Sequence, residues 1–200
     1  MYICQDKLVV ARVRNPRGEG GRLRAQLLQA AAEVLDDVGD ASKVSVRAIA
    51  RRAGVSPTAL YLQFRDRDEL VAAAVDAGFD AFNRALLDAA KGPEHPRDQL
   101  EAMGQAYLAF AERQPALYTV LFSARRPVDG GASGRDRAFD ALVALLRRVD
   151  PSLDAGSARE LALLVWSSLH GYAQLRAVRP HFDWPDGPAF IRRLLAAHRL

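Results

Sequence analysis

The chain has 200 residues, half of them apolar and 26% charged, enough to bury a core without disulfides or metal and unlike a disordered or low-complexity polymer. One cysteine, Cys4, excludes an internal disulfide, no secretory leader is recognisable, and apolar runs such as 161–166 fall short of the roughly 18 residues of a membrane span, so a soluble, cytoplasmic chain with no membrane partner is expected. The formal net charge of +4 is unevenly placed, with 11 Lys+Arg against 7 Asp+Glu in residues 1–66 and 17 of each in residues 67–200, which suggests an anionic partner for the N-terminal third.

Helix-period patterning dominates, and the fold class is all-α with about nine helices. Residues 1–21 form a basic, glycine-containing arm; its Arg12, Arg14 and Arg17 are either an idle tail or a minor-groove arm. From Arg22, apolar residues Leu23, Leu27, Ala30, Ala31, Val34, Leu35 and Val38 recur at helical spacing, and Gly39 closes that first helix. Ser45 stands where an N-cap belongs for a short second helix whose apolar side is Val46, Ile49, Ala50 and Ala53 and which ends at Gly54. Ser56 and Pro57 then open a third, expected to run to about Phe64. Asp66 caps a long fourth helix from Arg67 to about Ala90, and Gly92-Pro93 breaks it. Five more are expected at about 97–112, 115–123, 135–149, 157–179 and 188–198, with a Gly-rich loop at 129–134.

The stretch 45–64 has the spacing of a helix-turn-helix: two short helices joined by Gly54-Val55-Ser56, with Ile49, Val55, Leu60 and Phe64 turned inward. The opposite side offers Pro57, Thr58, Tyr61 and Leu62. Thr58, Leu62 and Pro57 can meet a thymine methyl, but hydrogen-bonded base reading must come from elsewhere, and Arg47 is the side chain placed to donate twice to a guanine edge. Ser45, Tyr61, Gln63 and Arg67 suit phosphate oxygens, which set register more than sequence. Arg51 and Arg52 read as solvated surface charges.

These residues resemble the tetracycline-repressor (TetR) family of bacterial transcriptional regulators. The likeness lies in Ser45-Val46-Arg47-Ala48-Ile49-Ala50, Ala53-Gly54-Val55-Ser56, Leu60-Tyr61-Leu62-Gln63-Phe64 and Asp66-Arg67-Asp68-Glu69-Leu70. The family pattern usually has Tyr-x-His-Phe and Ser-Lys-Glu where Gln63 and Asp66-Arg67-Asp68 stand here. The resemblance implies an all-helical homodimer, divided here into a DNA-binding domain at 22–66 and a ligand-binding and dimerisation domain at 67–200. It also implies repression of a palindromic double-stranded DNA operator, relieved by a small-molecule effector. Trp166-Ser167-Ser168-Leu169-His170-Gly171 is similar to the Trp-x-x-x-His-Gly feature of one C-terminal subgroup.

In the second domain Tyr107 and Phe110, Tyr118 and Phe122, and Trp166 and His170 lie in pairs on three helices. If those faces converge they outline a mostly apolar effector pocket with a few polar handles, although an aromatic stripe is more often packing. His170 alone reads as a satisfied core or interface histidine. The helix at 157–179 is apolar around much of its circumference, and with the helix at 188–199 it suggests a two-fold four-helix dimer interface. The four histidines fall at no metal-ligand spacing, and a His-Glu-x-x-His, a Gly-x-Ser-x-Gly elbow and a Walker loop are all lacking, so neither catalysis nor a metal or cofactor is expected. A helical small-molecule-binding enzyme and a non-specific DNA architectural protein are the competing readings.

Overall fold

The second and third helices are short because their sequence punctuation is dense. In the computed structural model, which describes residues 19–123 and 136–200, α1 spans Glu19–Val38, α2 Val46–Ala53 and α3 Pro57–Leu60. The first begins three residues earlier than the apolar pattern indicates and takes in Gly20 and Gly21. Glycine lowers helix propensity by about 1 kcal/mol against alanine without forbidding the helix, and first-turn amides have no intrahelical partner to lose. It ends at Gly39, whose φ of +65° suits a residue without Cβ, and the Gly39 N–H closes on Leu35 O at 2.8 Å. A 3₁₀ turn at Ala41–Lys43 leads into α2.

Ser45 Oγ accepts the Ala48 N–H (3.1 Å) at the start of α2, and Gly54 ends it in the left-handed region at φ +67°. Ser56 Oγ accepts the Ala59 N–H (3.3 Å) at the start of α3. That helix is shorter than expected. After Leu60 the chain tightens: Leu62 and Gln63 donate to Ala59 O and Leu60 O, three residues back. The tighter turn draws Phe64 into the core, 2% exposed, where the Arg24 guanidinium lies 4.3 Å over its ring.

The long α4, Arg67–Ala89, starts at Asp66, which accepts the Glu69 N–H at 2.8 Å while Glu69 accepts the Arg65 N–H at 2.7 Å. At 23 residues it is about 34 Å long, and it packs on α1 and along α5. Then come α5 (Pro96–Arg113), α6 (Pro115–Ser123), α7 (Arg137–Val149), α8 (Ala155–Val178) and α9 (Gly187–Ala197). Asp154 and Asp186 cap the last two through the Ser157 and Ala189 amides. The cap at Asp154 moves the start of α8 ahead of the expected residue 157. All described helices share one apolar core from Leu27 to Leu200. Close approaches fix two of the crossings: a Cβ at Gly104 would lie 3.3 Å from Ile191, and one at Gly78 would lie 3.0 Å from Leu121. The described residues contain no strand, in line with the all-α reading. Residues 1–18 of the expected arm and the 129–134 loop lie outside the described residues.

Candidate nucleic-acid interface and effector cluster

The corner formed by α2 and α3 is held from behind by α1. Gln26 Nε2 donates to Ala53 O (2.6 Å) and Arg24 to Gln63 O (3.1 Å), while Arg52 pairs with Glu33 (3.2 Å) and with Asp37. Arg52, exposed as expected of a surface charge, thus also ties α2 to α1. Ile49, Ala53, Leu60 and Phe64 are buried beneath. With the backbone fixed by caps and core, the outer face is open: Ser45, Arg47, Pro57 and Thr58 are exposed, Tyr61 is 55% and Leu62 73% exposed, and Gln63 is half-buried. Among the described residues Arg47 makes neither a hydrogen bond nor an ion pair. Its five donors are available to a partner.

Arg67 is differently placed. Its Nε donates to Val44 O at 2.7 Å, a second nitrogen to Ala41 O, and a third to Asp68 at 2.6 Å. The guanidinium therefore pins the 3₁₀ turn and the approach to α2 onto the start of α4. A cation next to a helix corner looks like a phosphate contact in sequence; the carbonyls it binds lie 23 and 26 residues away and leave no local signal.

The second site assembles from α4, α5, α6 and α8. Tyr107 and Tyr118 approach oxygen to oxygen at 2.8 Å, and His170 Nδ1 lies 2.6 Å from the Tyr118 hydroxyl and 3.2 Å from that of Tyr107. Around them the Phe122 ring lies 4.8 Å from Tyr118, 5.0 Å from His170 and 6.4 Å from Trp166. The structure brings five of the six expected residues into direct contact; Phe110 packs behind, against Phe82 at 5.2 Å. Phe82, on α4, is a member that the sequence pattern does not single out. It touches Tyr107, Phe110 and Phe122 edge-on, and its one-turn spacing from Phe79 is the signal that could have found it. A separate groove of about 280 Å³ between α5 and α8 is walled by Leu108, Ala111, Tyr172 and Ala173, and none of the six lines it.

Burial sets the protonation of this cluster. It pushes the Tyr107 phenol up to about 12, partly offset by hydrogen bonds from Tyr118 and Trp166, and it pushes Tyr118 up further, with Tyr107 adding to the effect. His170 is lowered from 6.5 by burial. At neutral pH the phenols are protonated and the imidazole is neutral. With the proton on His170 Nε2, Tyr107 donates to Tyr118 and Tyr118 to the free lone pair of Nδ1; this tautomer is assigned on that ground.

α8 also has an outward face. Val165, Leu169 and Tyr172 point into the core, whereas Leu163, Leu164, Leu175 (52%) and Val178 (66%) are exposed, as is Phe182 just beyond the helix. A Cβ at Gly171 would meet nothing within 4 Å. On α9, Ile191 and Leu195 are spent inward. Among the described residues no helix is long and apolar enough to cross a membrane, and no group of three His, Cys, Asp or Glu could hold a metal ion.

A helix-turn-helix corner at one end of a helical bundle defines a class of DNA-binding regulators. Residues 27–74 match the model of bacterial regulatory proteins of the tetR family, and residues 100–198 match that of the tetracyclin repressor-like C-terminal domain. The chain belongs to the TetR family of transcriptional regulators, and this family and fold are not those of enzymes. It is 25% identical to a TetR-like transcriptional regulator from Rhodococcus sp. RHA1, covering 93% of this chain and 98% of that one at a TM-score of 0.68. It is 27% identical to a protein of unknown function from the same organism, over 90% and 94% at 0.73. The nucleoid occlusion factor SlmA of Aliivibrio fischeri is 29% identical over 102 residues, 49% of this chain and 50% of that protein. The chain thus spans about half the length of that curated relative.

Proposed function

We propose that this chain is a ligand-responsive repressor that binds a palindromic DNA operator as a homodimer and releases it when a small molecule occupies the region of the Tyr107, Tyr118 and His170 cluster. The observation that carries this reading is the α2–α3 corner: a backbone locked by Ser45, Gly54, Ser56 and Asp66, with Arg47, Thr58, Tyr61 and Leu62 turned outward. One such corner has too few base-reading groups for specificity, and a two-fold dimer doubles them on a two-fold site. The exposed apolar residues of α8 support a dimer through that helix, with the exposed side of α9 at its flank.

The effector chemistry follows from the lining. The cluster contains phenols, a neutral imidazole and aromatic rings, so it suits a largely apolar, uncharged molecule that replaces one or two of the internal hydrogen bonds. Occupation separates α5, α6 and α8, and α4, which touches both regions, acts as the lever that spaces the two corners. The test has two parts. A duplex selected by the chain from a random-sequence pool should be two-fold symmetric and bind two chains. A compound that raises Tm should then weaken that binding. If stabilising compounds leave duplex affinity unchanged, release by effector is wrong.

A further inference from the structure

The four N-terminal amides of an α-helix need acceptors from outside the helix. In α2, α4, α8 and α9 the residue just before the helix supplies one. α6 is served from a distance: the Leu117 N–H is taken at 2.9 Å by Asp36 Oδ1, which belongs to α1 and lies 81 residues earlier. A carboxylate at a helix N-terminus gains from the hydrogen bond and from the helix dipole together. The contact has company, since a Cβ at Gly39 would lie 3.6 Å from Ala116.

Three further facts give this contact two ends. First, Tyr118 follows Leu117 directly and carries the hydroxyl bound to His170 Nδ1. α6 is nine residues long, too short to flex, so displacement of Tyr118 carries the helix N-terminus with it. Second, Leu117 and Leu121 lie against Gly78 of α4, which leaves little room for α6 to shift toward α4. Third, Asp37, the neighbour of Asp36, pairs with Arg52 of α2. Adjacent carboxylates on α1 thus reach in different directions, one to the helix of the effector cluster and one to the DNA-binding corner.

We propose that Asp36 is the positioning residue through which α6 is coupled to the DNA-binding corner, so that displacement of Tyr118 by an effector is delivered to α1 and α2 through this cap as well as through α4. The proposal rests on the regulator reading above and names a part of its transmission. A coupling of this kind is reciprocal: if α6 influences DNA binding, DNA must influence α6.

That reciprocity gives a test that needs no effector. Hydrogen exchange is followed in the full chain, alone and saturated with a duplex selected by the wild-type chain from a random-sequence pool. In the wild type, duplex should slow exchange across 45–64 and also change it across 116–122 by about fivefold or more, the lower end of typical allosteric coupling. Asp36→Ala should keep the response at 45–64 and lose that at 116–122. Asp36→Asn, which retains an acceptor at the same position, should preserve it. If Asp36→Ala does not fold, Asp36→Glu, which displaces the carboxylate by one methylene, must show the same loss. The proposal is overturned if 116–122 does not respond in the wild type, or responds equally without the Asp36 cap; either result leaves the regulator reading standing, because 45–64 still responds. If the chain selects no duplex, both fall together.

Discussion

Among the described residues, Arg47, Thr58, Tyr61 and Leu62 present their side chains to solvent, whereas Tyr107, Tyr118 and His170 direct their polar atoms at one another. In the proposed function the corner meets a partner of fixed shape; its backbone is made rigid by capping side chains and its outward groups are left unspent. In the proposed function the cluster holds one arrangement without a ligand and exchanges it for another with one, and its polar atoms are satisfied internally by partners that a ligand can replace. Rigidity in the first region comes from caps adjacent in sequence, backed by ties from α1 and from Arg67. In the second it comes from helices far apart in the chain.

The sharpest way to break this contrast is at the apolar support of the corner. Leu60 is fully buried, and Leu60→Ala should cost about 2–5 kcal/mol of stability, measured by denaturant unfolding, with duplex binding lost in parallel. A stable variant that still binds would mean the corner does not depend on its core. Arg47→Ala acts on the other side of the division: it should cost about 1–3 kcal/mol in duplex affinity and relax base preference while leaving Tm unchanged. A fall in Tm would show that Arg47 is structural.

Arg67→Ala sharpens the boundary between reading and supporting roles. A phosphate contact would lower the slope of log affinity against log salt by about one. The carbonyl bonds to Ala41 and Val44 lead instead to a loss of about 1–2 kcal/mol in stability with the salt slope unchanged. The smallest expected effect is in the cluster. Burial lowers His170 from 6.5, so as pH drops through that value the unfolded chain binds a proton that the folded chain resists, and stability declines. His170→Gln should flatten that decline in a pH series of thermal melts. An unchanged slope would place the titrating group elsewhere.

How much could be read beforehand divides along the same line. Ser45, Gly54, Ser56 with Pro57, and Asp66 each act within a few residues of themselves, so the corner is legible from the sequence down to its caps. The extent of α3 is not, because the tightening after Leu60 follows from Phe64 entering the core and Arg24 stacking on it. In the C-terminal region the pairing of Tyr107, Tyr118 and His170 can be expected from helical spacing, but Phe82 lies on α4, outside the three helices whose aromatic pairs the spacing singles out. Asp36 left no trace at all. A carboxylate inside one helix and a backbone amide of another are joined by tertiary packing alone, and the same holds for Arg67 and its carbonyls.

The central claim is that the α2–α3 corner reads base sequence. Titrating the full chain with its selected duplex and with a scrambled duplex of equal length and composition, at physiological salt, tests it most directly. The account predicts that the selected duplex binds tighter by a factor of about 10³ or more. Equal affinities for the two would contradict it and leave a protein that binds DNA by charge alone.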